Sequence, residues 1–253
     1  MSKVVVKPIS KEIKMIFTGK SIDLPDEMQA LIDEYWRSLL GSGKKYSRGD
    51  VFAVKSIEED LHTLTLSVEL TDYAHYLATR NKISGISAFG IMHTAILIET
   101  NDEKLAFGRM APSTSVPGRF QCAGGGITQD DLLPDGKTLD ILGNARNELM
   151  EEVGLDSDDP EMIRFMKPAY LKAGGEFESL AVVYVAKLKL NTDELLKFFE
   201  AHNSKLEANG EDPELSELIF VDKEPETIEE LIRLHGSNMD EYMPDLLRIH
   251  AGG

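Results

Sequence analysis

Cysteine is almost missing from this chain of 253 residues: Cys122 stands alone, so no disulfide can close within it. That fits a reducing compartment, in which thiols stay reduced. Long hydrophobic runs are missing too. No apolar stretch approaches the roughly 20 residues that a bilayer crossing needs, and the opening MSKVVVKPISKE lacks the apolar centre of a signal peptide. Basic charge is scarce, with 27 Lys and Arg against 44 Asp and Glu, a net charge of −17. Such a charge repels nucleic-acid polymers over a Debye length of about 8 Å. No basic stripe compensates, so neither RNA nor DNA is an expected partner. Internal repeats, zinc-ligand spacings and low-complexity tracts are also absent. These absences lead us to expect a soluble, cytoplasmic protein of one large domain or two small ones, with no membrane partner.

What the chain does have is a cluster of carboxylates. Glu148, Glu151 and Glu152 in NELMEEVGL are spaced i, i+3, i+4, which sets them on one helix face with Cβ atoms about 5–6 Å apart. Three like charges repel one another there. A divalent cation between them reverses the sign, because Mg²⁺ and Mn²⁺ prefer carboxylate and water oxygens. The same string alone also describes a solvated acidic face. Its surroundings narrow the choice. Gly124-Gly125-Gly126 precedes it, and Gly154 followed by Leu155 ends the helix as a left-handed cap would.

A glycine turn, a helix bearing E-x-x-E-E and a glycine stop together resemble the box of the Nudix hydrolase superfamily, G-x5-E-x7-R-E-U-x-E-E-x-G-U, with U a bulky aliphatic residue. The segment Asn147 to Leu155 matches its right half everywhere but at the first position. The left half departs. Asn147 stands where the family has Arg, with Arg146 one place earlier, a rotation of about 100° away. Leu139, beside Asp140, stands where it has Glu, and the stretch Ile127 to Gly143 is about seven or eight residues longer than usual. In the family that Arg and first Glu support the loop-helix-loop, and the other three carboxylates hold metal.

The flanks agree with the resemblance. Ile91 to Ile98 reads as a buried strand, Leu105 to Arg109 as its return, and Pro117-Gly118-Arg119-Phe120 leads into the glycines. Beyond the box come strand-like Ala169 to Lys172, a Gly174-Gly175 turn, a strand from Leu180 to Leu188, a helical Thr192 to Leu206, a strand Leu218 to Val221, and a last helical region from Thr227. The resemblance implies an α+β fold, a mixed sheet in an α/β/α sandwich, over residues 87–253.

Residues 1–86 are expected to form a small N-terminal α+β subdomain. Val4 to Val6 suits a strand, Pro25 to Leu40 an amphipathic helix, and Phe52 to Val54 and Leu61 to Leu70 alternate like strands. A helix with Trp36, a basic turn (Lys44, Lys45, Arg48), two strands and the string T-D-Y-x-x-Y-L-x-T-x-N are similar to the N-terminal region of Nudix enzymes that split UDP-glucose and related sugars. Tyr73 and Tyr76 in that string suit either helix packing or stacking on a base or sugar.

The resemblance implies Mg²⁺-dependent hydrolysis, with Mn²⁺ as a substitute, of a nucleoside diphosphate linked to a group X, a nucleotide-sugar by preference. The products are two phosphate monoesters. Glu148, Glu151 and Glu152 match the metal positions, and Glu148 is also a candidate general base. A further carboxylate is expected from Glu176, Glu178, Glu214 or Glu217, with Glu217 preferred. Arg109, Arg119 and Lys172 are candidate phosphate cations, though each is equally well a surface charge. Gly124 and Gly125 let backbone amides approach a phosphate. Two alternatives stay open: a Nudix-fold module that senses a nucleotide without turnover, and an isoprenyl diphosphate isomerase using Cys122. A homodimer is compatible with the family, the N-terminal subdomain serving as dimer surface or lid.

Overall fold

β-branched runs make the central strands and amphipathic segments make the covering helices. A computed structural model describes residues 2–43, 46–86, 89–176 and 178–252. In chain order these form β1 (Ser2–Pro8), β2 (Glu12–Ser21), α1 (Asp26–Gly41), β3 (Asp50–Glu59), β4 (Thr63–Asp72) and α2 (Tyr73–Arg80). Then come β5 (Met92–Glu99), β6 (Lys104–Met110), β7 (Phe120–Gln121), α3 (Ile141–Val153), β8 (Ile163–Gly175) and β9 (Leu180–Leu188). The chain ends with α4 (Thr192–Ala208), β10 (Leu215–Asp222), α5 (Pro225–His235) and α6 (Met243–Gly252). No helix among the described residues is long and apolar enough to cross a membrane.

The main sheet has the order β1-β8-β9-β5-β6-β10, with β7 added beside β6. It is mixed: β5 and β9 run parallel, the other pairs antiparallel. Successive side chains point to opposite faces, and both faces are covered. On one, Ile96, Ile98 and Val182 pack against Ala145, Leu149 and Val153 of α3 and Leu195 and Phe199 of α4. On the other, Ala95, Leu97 and Val183 pack against Ile228 of α5 and Met243, Leu246 and Leu247 of α6. Burial on two faces is why LAVVYVAKL in β9 reads as a continuous apolar run. The expected α+β fold with a mixed sheet between helices is present.

Strands β2-β4-β3 form a second sheet, whose Met15, Phe52, Leu66 and Val68 join the α3 side of the core. Two findings change the expected division at residue 86. β1 does not belong to the N-terminal unit: it pairs antiparallel with β8, Val5 opposite Ala173, at the edge of the main sheet. The long stretch between the glycines and α3 is not a free loop either. Phe17 N–H donates to Lys137 O (2.8 Å) and Leu139 N–H to Met15 O (3.0 Å), so the insert runs along β2 and ties the second sheet to α3. The boundary residue Ser87 lies outside the described residues, as do Lys44 and Lys45 of the basic turn. Arg48 from that turn is structural, bridging Asp33 and Asp72 at 2.7 Å each.

Candidate active site

The main sheet splits where the site forms. β5 and β6 pair only at Ile98–Ala106 and Glu99–Leu105. The first half of β5 instead takes the glycine loop as its neighbour, through Ile96 N–H to Ala123 O (2.7 Å) and Thr94 N–H to Gly125 O (2.9 Å). The loop is pressed between β5 and α3. At Gly124, with φ +143°, an added Cβ would meet Thr94 O at 2.2 Å, and at Gly125 it would meet Glu148 Oε1 at 2.0 Å. Only glycine allows that approach.

Helix α3 is fixed at both ends. Asp140 caps its start, accepting from Gly143 N–H at 2.8 Å, and Gly154 ends it in the left-handed conformation at φ +80°. The glutamates then fall on the side facing the loop. Glu152 is 4 % exposed; its Oε2 accepts from Gly124 N–H at 3.2 Å, and its Oε1 is buried with no partner among the described residues. Burial, followed by the charges of Glu214 and Glu148, pushes the Glu152 carboxyl well above the ordinary range. Burial, with Glu151 next, pushes Glu148 up to about 7. Glu214, immediately before β10, is also raised by burial and by Glu151. Glu148, Glu152 and Glu214 are thus each raised by burial and by neighbouring carboxylates, with no cation among the causes.

As the side chains stand, no three His, Cys, Asp or Glu residues among those described are grouped closely enough to hold a metal ion. The donor chemistry nevertheless fits a hard divalent ion: all-oxygen ligands, like charges in mutual repulsion, and an orphaned buried oxygen on Glu152. Glu151 is exposed on α3, so its side chain is free to turn toward the others.

Sequence reasoning missed the residue that pins this loop. Asn144, 5 % exposed, lies one turn before Glu148. Its Oδ1 accepts from Thr94 Oγ1 at 2.6 Å, and its Nδ2 donates to Gly126 O and to Asp131 Oδ2, both at 3.2 Å. Asp131, in the insert, also accepts from Thr128 N–H at 2.8 Å. β5, the glycine loop, the insert and α3 thus meet at one amide. The positions of the family's Arg and first Glu do none of this: Asn147 is exposed, Leu139 is in the core, and Arg146 pairs with Asp158 at 3.3 Å. The i−4 spacing from Glu148 was the only signal in the sequence.

A cavity of about 490 Å³ opens beside the glutamates. Glu148, Glu151, Gly124, Gly125, Arg119 and Lys172 all line it. Three further contributions come from α2 (Tyr73, Tyr76, Arg80), Glu214, and the segment Asp240 to Tyr242 before α6. Two expected residues are elsewhere. Arg109 and Glu217 face each other across β6 and β10 and form an ion pair of 2.9 Å, Glu217 with its side chain 54 % exposed. The register places them outside the lining, and of the other later carboxylates Glu214, three residues earlier, and Glu176 reach it. Lys172 lines the cavity but is spoken for. It is 1 % exposed, and its Nζ donates to Gly174 O (2.8 Å), Ser179 O (3.2 Å), Ser179 Oγ (2.5 Å) and Glu241 Oε1 (3.3 Å). Four acceptors exhaust an ammonium's three protons. Cys122 is buried, its thiol pushed up to about 12 by burial and packed 3.5 Å from Met243 Sδ.

No protein-family model matches the chain, and no curated protein matches it. Solved structures do resemble it. The DR0079 protein of Deinococcus radiodurans aligns with a TM-score of 0.46 at 14 % identity, over 79 % of this chain and 98 % of that one. A bifunctional NMN adenylyltransferase/ADP ribose pyrophosphatase from Francisella tularensis, complexed with AMP and a manganese ion, aligns at 0.41 and 11 % identity, over 69 % of this chain and 45 % of that one. A MutT protein from Methanosarcina mazei Go1 aligns at 0.35 and 14 % identity, over 63 % and 91 %. At such scores and identities none of them assigns an activity to this chain.

Proposed function

We propose that this protein is a metal-dependent hydrolase of the Nudix type, cleaving the diphosphate linkage of a nucleoside diphosphate derivative, preferably a nucleotide-sugar, to two phosphate monoesters. The observation that carries the reading is the pair Glu148 and Glu152, held against the backbone of Gly125 and Gly124, with Glu152 Oε1 buried and unpartnered and with Glu151 and Glu214 lining the same cavity. Those four carboxylates would hold Mg²⁺ or Mn²⁺, which when bound lowers the pKa of a water and stabilises charge on phosphoryl oxygens. Six carboxylates against three cations in the cavity lining leave a diphosphate no place without such an ion.

The chain's own residues supply the rest. Glu148, against Gly125, is placed to accept the proton of the attacking water as the new P–O bond forms and the bridging P–O bond breaks. Arg119, paired with Asp240 through one nitrogen at 3.4 Å, keeps further N–H donors for the departing phosphate. Tyr73 and Tyr76, with ring centroids 5.6 Å apart, offer a face on which a base can stack. A lone buried Cys122 suits a reducing, cytoplasmic setting.

The isomerase alternative is less favoured: Cys122 lines the cavity, but its thiol is buried, packed 3.5 Å from Met243 Sδ and pushed up to about 12. A nucleotide-sensing module without turnover keeps one observation in its favour: the carboxylates are not gathered around one point. Incubation with Mg²⁺ and a panel of nucleoside diphosphate sugars, dinucleotides and nucleoside triphosphates separates the two. Release of nucleoside monophosphate, lost in Glu151→Gln, supports the hydrolase. A raised melting temperature with no product from any compound supports the sensor.

A further inference from the structure

The cavity lining has two chemically different parts. Tyr73 and Tyr76, with Val51, Met110 and Val116, are aromatic and aliphatic. His93, Lys172, Ser179, Asp240 and Glu241 are polar. Strand register and the hydrogen bonds of Lys172 to Ser179 and Glu241 gather the polar part. His93 on β5 pairs with Ala181 on β9, and Ala181 pairs with Lys172 on β8. Paired residues share a sheet face, so two long side chains flank a small one and leave a hollow between them.

Charge in this part is balanced internally. Lys172 pairs with Glu241 at 3.3 Å and Arg119 with Asp240 at 3.4 Å. A further phosphate or an ammonium would find no unmatched charge there, and an apolar chain would bury four charged groups. Paired carboxylates do keep lone pairs for hydroxyl donors. His93 is the exception to this internal balance. Its Nδ1 is enclosed with no hydrogen-bond partner among the described residues, a state that native interiors rarely leave unmatched. Burial, with the Lys172 ammonium nearby, holds the ring down to about 3, so at neutral pH it offers one donor and one acceptor nitrogen.

We infer that His93, together with Asp240 and Glu241, binds the hydroxyl groups of an uncharged, sugar-like group X, while the α2 tyrosines face the base. This rests on reading the cavity as the site of a nucleoside diphosphate derivative. It makes His93 a specificity-determining residue that discriminates sugar nucleotides from nucleoside di- and triphosphates.

The test exploits the orphaned nitrogen. His93→Leu keeps bulk but removes both nitrogens, so it relieves an unmatched buried polar atom instead of breaking a bond. Binding of UDP-glucose against UDP, and of ADP-ribose against ADP, is measured by calorimetry with Ca²⁺ in place of Mg²⁺, the nucleotide being recovered afterwards and shown by chromatography to be uncleaved. The wild-type protein should prefer at least one sugar nucleotide to its matching diphosphate. His93→Leu should reduce that preference by about threefold to tenfold, the factor a neutral hydrogen bond commands. Its affinity for the diphosphate and its melting temperature should be unchanged, or the latter raised, and His93→Gln should restore part of the preference. Should His93→Leu not fold, His93→Gln and His93→Phe carry the comparison. A wild type with no preference, or variants that retain it, overturns the inference, as does a fall in melting temperature with the preference intact. If the preference exists and depends on His93 while Mg²⁺ produces no hydrolysis, the subsite stands and the proposed reaction falls.

Discussion

Removing a site carboxylate should stabilise this protein when metal is absent. Glu148 carries a folded-state pKa of about 7 against an ordinary 4.5. Because the folded value is the higher, protonated Glu148 contributes stability that is fully present below about pH 4.5 and is lost as pH rises through 7. The shift corresponds to about 3.4 kcal/mol at full weight and to about 2 kcal/mol once its partial exposure is allowed for. Glu152 and Glu214 shift in the same direction, so their loss of stability with rising pH has the same sign as that of Glu148. Glu148→Gln is neutral at every pH. In EDTA at about pH 8.5 it should therefore melt roughly 5–10 °C above wild type, for a domain of this size, whereas near pH 4.5 the two should coincide. Millimolar Mg²⁺ should raise wild type at pH 8.5 and leave the variant nearly unmoved. Thermal denaturation over pH 4.5–8.5, with and without Mg²⁺, reads all of this. A Glu148→Gln protein less stable than wild type at high pH without metal would refute the picture of an uncompensated acidic cluster.

Three further outcomes are expected. Glu152→Gln should abolish turnover with little change in far-ultraviolet circular dichroism, and retained activity there and in Glu151→Gln would remove the metal role. Asn144→Ala should cost about 2–4 kcal/mol by leaving Thr94, Gly126 and Asp131 with unmatched groups, and should also weaken Mn²⁺ binding measured by electron paramagnetic resonance. An unchanged Mn²⁺ affinity would reduce Asn144 to a structural role. Asn147→Arg, on an exposed position of α3, should alter stability by less than about 0.5 kcal/mol; chemical denaturation checks this.

How much of this was legible in the sequence depends on whether the signal is local. The glutamate helix was, because i, i+3, i+4 spacing and a terminal glycine are properties of ten consecutive residues, and Gly154 does adopt the left-handed cap. β5, β6 and β9 were legible from their apolar runs. The placement of β1 was not: Val4 to Val6 is visibly a strand, but nothing in those residues says that it pairs with β8 some 160 residues later. The insert was legible only in part for the same reason: Pro134-Asp135-Gly136 is the exposed turn its residue types suggest, but nothing local says that Asp131 reaches Asn144 or that Lys137 O accepts from Phe17 N–H. Asn144 belonged to no motif, and only the fold reveals that Thr94 lies opposite it. Glu214 and Glu217 are equally acidic and near β10; the register that sends Glu217 to Arg109 decides between them. His93 is one residue of an apolar strand in the sequence, and its unmatched nitrogen is visible only in three dimensions.

The central claim is that Glu148, Glu151 and Glu152 support metal-dependent attack of water on phosphorus. Turnover of UDP-glucose and ADP-ribose in oxygen-18 water with Mg²⁺, followed by mass spectrometry of the products, tests it most directly. The account predicts two phosphate monoesters, one of them carrying a single heavy oxygen on its phosphate, and no reaction in Glu152→Gln. Heavy oxygen on a released free sugar, or no turnover of either compound by the wild-type protein, would contradict it.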